Sequence, residues 1–249
     1  MSHSKLFMLL LPLVLITAVG RAESQRTLFT VENAFPRWGQ VEVGATFQAT
    51  EQNDNSFQDD VRVVAPYVRY GLLENLALRL DAPLVESDPA FGSTESGIGD
   101  LELELQLRTW EDIFGYPYFI PHVSVTLPTG DEDKGLGNDD SIVEVGMTYG
   151  DKMYDTVMWL LDVSYRINPS ADNQILVGHS YIWSVSERFD LITEVSYEEE
   201  FETSDESTVL LSGGMSYNWT KNLQMGAHVA GGLTGPTDLY SQVRLSYSF

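Results

Sequence analysis

Leu239-Tyr240-Ser241-Gln242-Val243-Arg244-Leu245-Ser246-Tyr247-Ser248-Phe249 ends the chain. Leu239, Val243, Leu245, Tyr247 and Phe249 point one way; Tyr240, Gln242, Arg244, Ser246 and Ser248 point the other. A period of two gives a β-strand one apolar and one polar face. Such a strand belongs either to a half-buried sheet of a secreted sandwich or to a membrane barrel whose apolar face meets lipid. The rest of the chain decides between them.

The N-terminus bears on the choice first. Lys5 precedes an apolar run from Leu6 to Val19, followed by Gly20-Arg21-Ala22. A basic start, a short apolar core and small residues two apart form a secretory signal, with cleavage expected after Ala22. The run is shorter than the roughly 20 apolar residues of a membrane helix. No later segment is as long and as apolar, so an exported chain that lives in a membrane must do so as a closed barrel, whose backbone groups pair internally. The expected organisation is a signal peptide over 1–22, a periplasmic or plug segment over 23–38 and a barrel over 39–249. The chain has no cysteine, which excludes a disulfide-stapled scaffold. Removing Lys5 and Arg21 with the signal leaves 12 basic residues against 37 acidic ones, a formal charge of −25. That balance excludes nucleic acid as a partner.

Alternation continues through the chain. Period-two runs fall near 40–49, 60–70, 75–84, 98–108, 117–128, 141–150, 157–167, 174–184, 188–198, 207–218, 222–231 and 239–249, twelve strands in all. Aromatic residues gather at strand ends (Tyr70, Trp110, Tyr149, Tyr165, Trp183, Tyr197, Tyr217, Trp219, Tyr247 and Phe249), as interfacial girdles require. The connections alternate between short turns and longer, acid-rich loops such as Thr50–Asp59, Val85–Gly97 and Thr129–Asp140. These features favour a single antiparallel up-and-down transmembrane β-barrel with both termini on the periplasmic side. The last strand, with Tyr247 and Phe249, then resembles the closing strand that outer-membrane barrels present to the barrel-assembly machinery. Pro66, Pro83, Pro117, Pro121 and Pro128 oppose the pattern, because a closed barrel has no edge for a missing donor; they must stand at strand ends or bulges.

Several short motifs occur in a particular order: Tyr70-Gly71-Leu72-Leu73-Glu74-Asn75-Leu76, Gly97-Ile98-Gly99-Asp100-Leu101-Glu102-Leu103, Pro121-His122-Val123-Ser124-Val125-Thr126-Leu127-Pro128-Thr129-Gly130-Asp131 and Gly135-Leu136-Gly137-Asn138-Asp139. Over roughly residues 60–150 this order resembles the outer-membrane transporter family named after the phenol meta-cleavage degradation pathway. The resemblance implies a barrel of this size in the Gram-negative outer membrane, with a role in uptake of small, often aromatic, molecules and no agreed catalytic residues. Acid-rich loops are something the family's pattern does not require.

His122 and Ser124 share a strand face, as a lipid-facing or lumenal hydrolase would need, but neither an orienting partner nor an oxyanion hole is evident. The run Asp131 to Asp139 departs from a calcium loop: Gly135 stands where a ligand is wanted and Ile142 where the bidentate Glu should be. His3, His122, His179 and His228 lack metal-ligand spacing. No cofactor or metal is expected. Functional residues are therefore sought on the polar face, which should line the lumen: Glu42, Arg62, Arg79, Asp81, Asp100, Glu102, Glu104, Arg108, His122, Ser124, Glu144, Asp162, Arg166, Asp190, Glu194, His228 and Arg244. They suggest a passive, acid-biased channel for small molecules, with outer-membrane lipid and lipopolysaccharide as surroundings. The alternative is a closed barrel acting structurally or through its acidic loops.

Overall fold

The computed structural model describes residues 36–54, 57–89, 92–111, 117–170, 172–201, 207–235 and 237–249. The expected signal peptide, and the expected N-terminal segment up to residue 35, lie outside them. The chain forms β1 (Val41–Asp54), β2 (Phe57–Leu73), β3 (Leu76–Asp81), β4 (Leu84–Asp88), β5 (Glu95–Ile98), β6 (Leu101–Leu107), β7 (Trp110–Glu111) and β8 (Tyr118–Leu127). It continues through β9 (Ile142–Tyr154), β10 (Val157–Ile167), β11 (Gln174–Ser186), β12 (Phe189–Glu200), β13 (Ser207–Asn218), β14 (Leu223–Thr234) and β15 (Thr237–Ser248).

All pair antiparallel in one sheet, and β1 pairs with both β2 and β15, so the sheet closes on itself. β3 and β4 both pair with β2 and form one stave broken at Ala82–Pro83. β5 and β6 form the next, broken at Gly99–Asp100, while β7 is a two-residue addition to β8. The result is a twelve-stave antiparallel barrel. We call the rim that carries Gly39 and Phe249 the near rim, and the opposite one the far rim.

Two expectations need correction. The runs 75–84 and 98–108 are not single strands, because both break at one height on the wall. Several far-rim loops are also much shorter than the sequence pattern suggests. β1 and β2 stay paired to Asp54 and Phe57, within the expected loop 50–59, and β14 and β15 stay paired within the expected loop 232–238. Alternation reports a strand only while one face meets lipid; beyond the bilayer the ladder continues with polar residues on both faces.

The prolines mark discontinuities in the ladders. Pro66 lies within β2 opposite the break between β3 and β4, where its carbonyl accepts from Ala82 N–H at 3.0 Å. Pro83 stands in that break and its carbonyl accepts from Gly99 N–H at 2.8 Å, which joins the two breaks. On β8, Pro121 falls between His122, the last residue paired with β6, and Phe119, the first paired with β7. Pro117 and Pro128 flank β8.

Burial runs opposite to that of a water-soluble protein. Leu80, Leu103, Val145, Val163, Leu191, Leu211, Val229 and Val243 are exposed on the outer face, while Glu42, Arg69, Asp162, Asp190 and Glu194 are buried within. An apolar outer band of this extent is a lipid-facing surface. Outside, near the near rim, rings follow one another across neighbouring staves. Trp110 and Phe119 are 5.8 Å apart, Phe119 and Tyr149 5.0 Å, Tyr149 and Trp159 5.1 Å, and Trp159 and His179 6.0 Å. His179 thus belongs to the aromatic girdle, and Tyr247 and Phe249, 4.9 Å apart, lie on the same outer surface.

The interior is not uniformly polar. Tyr118, Ile120, Met158, Leu160, Ile182 and Ile192 all point inward and form a buried apolar cluster on β8, β10, β11 and β12 in the near half. A smaller one joins Leu210, Ala230 and Tyr240 in the far half. The first cluster separates two chemically similar neighbours. Truncating Leu160 to Ala opens a hole that nothing refills, at a cost of roughly 2–5 kcal/mol. Truncating Leu161, on the lipid face, leaves space that acyl chains occupy. Urea unfolding in lipid vesicles is expected to show a clearly larger loss for Leu160→Ala than for Leu161→Ala. Equal losses would mean that the near-half interior is not packed.

Candidate functional site

The inward face carries most of the residues singled out from the sequence, with two corrections. Arg62 alternates with the inward Val63 and Ala65 and therefore points outward; it pairs with Glu86 at 2.7 Å, largely exposed. The inward arginine of β2 is Arg69, 1 % exposed, whose Nη2 donates to Gln106 Oε1 at 2.5 Å. The register of β2 lies between Val61, Val63 and Val64, where apolar residues occupy both faces and alternation gives no parity. Arg108 follows β6 rather than lying within it; its N–H donates to Asn75 O and its guanidinium to Glu74 O, both at the near rim.

The other predicted residues face inward. Glu42 accepts from Tyr67 Oη at 2.9 Å. Asp81 accepts two bonds of 2.7 Å from Arg79, whose guanidinium sits 4.3 Å above the Tyr67 ring. Glu144 accepts from Arg166 Nε and Nη2 at 3.1 and 3.0 Å, and Arg166 also donates to Gln174. Glu194 accepts from Ser180 at 2.6 Å and Asp190 from Ser216 at 3.1 Å. Glu104 accepts from the Gln106 amide at 2.8 Å. Glu102 has no hydrogen bond or ion pair among the described residues; Asp81, Glu104, Glu144 and Arg79 are its charged neighbours.

Asp100 plays a different part from the one its position on the polar face suggests. It occupies the wall break, and its Oδ1 accepts from the N–H groups of Thr129 (3.0 Å) and Gly130 (2.8 Å). Its Oδ2 accepts from Asn138 N–H (2.8 Å) and Asn138 Nδ2 (2.7 Å). Thr129 Oγ1 donates to Gly99 O, and Leu101 N–H donates to Thr129 Oγ1. Four donors on one carboxylate hold both ends of loop 128–141 against the barrel. The fit requires glycine. A Cβ on Gly137 would overlap the Asp100 carboxylate, and one on Gly130 would come within 2.6 Å of Leu136 O. Leu136, 5 % exposed, seats against Gly97, where a Cβ would lie 2.9 Å from its methyl group. The scattered glycine, proline and asparagine motifs of the sequence thus meet at one joint.

Loop 128–141 contains a 3₁₀ turn, Glu132–Lys134, and Lys134 binds Asp131. A hydrogen bond with Asp139, followed by slight desolvation and neighbouring carboxylates, raises the Glu132 pKa. A raised carboxyl pKa favours this arrangement at low pH and weakens it as pH rises. Among the described residues, no three of His, Asp or Glu are grouped as metal ligands would be.

His122 crosses β9 to reach β10. Its Nε2 lies 3.0 Å from Asp162 Oδ2, which also accepts from Thr148 Oγ1 at 2.5 Å, while Asp162 Oδ1 accepts from Ser164 at 2.8 Å. The intervening residue is Gly146, where a Cβ would collide with both the His122 ring and Ser164. Tyr67 lies likewise over Gly44, Tyr118 over Gly150 and His228 over Gly214. His122 and Ser164 converge on one carboxylate rather than forming a serine–histidine–aspartate relay, and Ser124 lies between Glu104 and Glu144 in the ladders.

At mid-height, between β15 and the β1–β9 side, these residues border a cavity of about 490 Å³. It is lined by Arg79, Asp81, Asp100, Glu102, Glu104, Gln106, His122, Ser124, Glu144 and Arg244, and Leu136 to Asn138 border it.

Twelve closed staves and an inward polar cavity define the class of membrane-spanning β-barrels. The model of the family described as "Putative MetA-pathway of phenol degradation" matches residues 39–249, and the chain belongs to that family. The COG4313 outer membrane channel from Pseudomonas putida F1 is similar in structure, with a TM-score of 0.72 at 15 % identity over 87 % of this chain and 97 % of that one. The KdgM porin gives 0.57 at 10 % identity, covering 83 % and 99 %. The CymD monoaromatic hydrocarbon channel gives 0.52 at 10 % identity, covering 87 % and 88 %. The fold is that of outer-membrane channels. No curated protein sequence matches the chain.

Two variants check the site. Asp100→Ala removes four acceptor contacts, and limited proteolysis of vesicle-embedded protein is expected to cut within 128–141 at least about tenfold faster. Unchanged cutting would show that the loop is held by other means. Gly146→Ala should displace His122 and cost roughly 1–3 kcal/mol in unfolding experiments, and the cost should shrink in a His122→Ala background.

Proposed function

We propose that the protein is a passive outer-membrane channel for small molecules, with the near rim periplasmic and the mid-height cavity as its selective point. Membership of the family supports this reading, as does the fold shared with channels. The observation that carries it is the inward polar cavity of about 490 Å³, large enough for a small organic solute. Its lining holds five carboxylates, those of Asp81, Asp100, Glu102, Glu104 and Glu144, against the guanidinium groups of Arg79 and Arg244. Cations and neutral solutes, aromatic ones included, are therefore favoured over anions. Membrane lipid and lipopolysaccharide surround the barrel, and Tyr247 and Phe249 present the closing strand to the barrel-assembly machinery. Among the described residues of the cavity, Ser124 stands between Glu104 and Glu144 and His122 is bound to Asp162, which favours passage over catalysis.

A second reading, a closed structural barrel, draws support from the apolar cluster that fills the near-half interior on β8 and β10–β12. Liposome swelling separates the two. A panel of sugars, amino acids and aromatic acids should permeate at measurable rates, with uncharged solutes faster than anionic ones of the same size. Reversal potentials in planar bilayers should show cation preference. Clear anion selectivity would overturn the acid-biased passage, and absence of both swelling and conductance would favour the closed barrel.

A further inference from the structure

The carboxylates around the cavity are unequally satisfied. Arg79 holds Asp81 through two bonds, Asp100 is occupied by four loop donors, Arg166 holds Glu144, and the Gln106 amide reaches Glu104. Glu102 is left, facing Asp81 across the β3–β6 ladder and sharing its strand face with Glu104. The cavity is also lined by Thr46 and Gln242, 2 % and 4 % exposed. Thr46 Oγ1 and Gln242 Oε1 are both buried without a hydrogen-bond partner. A buried amide oxygen left unpaired is costly, and like a carboxylate it can only accept.

A ligand that satisfies these groups must therefore donate hydrogen bonds and carry positive charge. An anion would meet five carboxylates against the guanidinium groups of Arg79 and Arg244 and could not donate to Glu102 or Gln242 Oε1. A bare metal ion fits poorly, since no group of three His, Asp or Glu ligands occurs among the described residues. An ammonium group brings three donors and one charge, and the cavity has room for an attached organic body. We propose that the cavity contains a recognition point for the ammonium head of a small organic amine, with Glu102 as its counter-ion and Gln242 Oε1 as a second acceptor. The proposal rests on the channel reading for its biological sense, but the site itself is testable without transport.

Purified full-length barrel in detergent can be titrated calorimetrically with n-butylammonium chloride, and with 1-butanol and sodium butyrate as probes of equal chain length. Butylammonium should bind at least about tenfold more tightly than either. Glu102→Gln should remove that preference, and Arg62→Gln, on the outer face, should preserve it. Should Glu102→Gln fail to fold, Gln242→Leu provides the second arm and should weaken butylammonium while leaving butanol unchanged. Equal affinity of wild-type protein for butylammonium and butanol would overturn the proposal, as would a folded Glu102→Gln or Gln242→Leu variant with unaltered preference. Amine binding without liposome swelling would retain the site and remove the channel; swelling without amine preference would do the reverse.

Discussion

Closure of the hydrogen-bonded ring is the constraint on which the rest of the structure depends. In lipid no water satisfies a strand edge, so the last strand must find the first. Here β1 pairs with β15 from Glu42 opposite Ser248 to Gln52 opposite Thr237. Phe249 N–H then donates to Val41 O at 2.8 Å, so that pairing reaches the final residue of the chain. Once the ring is closed, alternation has only one meaning: odd positions of β15 meet lipid and even ones the interior. Every missing donor must also be absorbed inside the wall. Pro66, Pro83 and Pro121 are tolerated because each faces a place where a neighbouring ladder has already stopped or changed partner.

Closure also limits the interior, and the side chains manage that limit in a consistent way. Four inward rings lie over glycines of an adjacent strand: Tyr67 over Gly44, Tyr118 over Gly150, His122 over Gly146 and His228 over Gly214. A ring that stood upright would project toward the axis; laid flat, it packs against the wall and can reach a polar partner farther round the ring. His122 does so with Asp162, two staves away. Glycine serves here as space for a neighbour, with no unusual backbone angle required.

Much of the fold was legible in the sequence because lipid imposes a period that survives in every strand. Leu101, Leu103, Leu105 and Leu107 against Glu102, Glu104 and Gln106 leave no ambiguity of face. Where that period fails, inference fails with it. Val61, Val63 and Val64 put apolar residues on both faces of β2, so the pattern there points Arg62 inward and passes over Arg69. The apolar interior cluster was hidden for a related reason: Leu160 alternates correctly with Leu161, but only the ladders show that Ile120, Ile182 and Ile192 converge on it. The role of Asp100 is beyond the reach of a local pattern, since its four donors lie 29 to 38 positions away and are backbone groups or an asparagine side chain.

The irregularities are not spread evenly around the ring. β10 to β15 are long, continuous strands, and their inward side chains meet in apolar clusters and short serine–carboxylate pairs. The breaks at Ala82–Pro83 and Gly99–Asp100 and the inserted Leu136 all belong to β1–β9, and the cavity lies on that side, bordered also by Gln242 and Arg244 of β15. A regular wall is cheaper to build, so departures confined to one side indicate that this side answers to something besides stability. Its charges agree. On the regular side Ser180 donates to Glu194 and Ser216 to Asp190, which fixes both carboxylates in place. On the irregular side guanidinium groups, a ring face and an unpaired carboxylate border open space. The first arrangement holds a shape, and the second leaves interaction capacity for a solute.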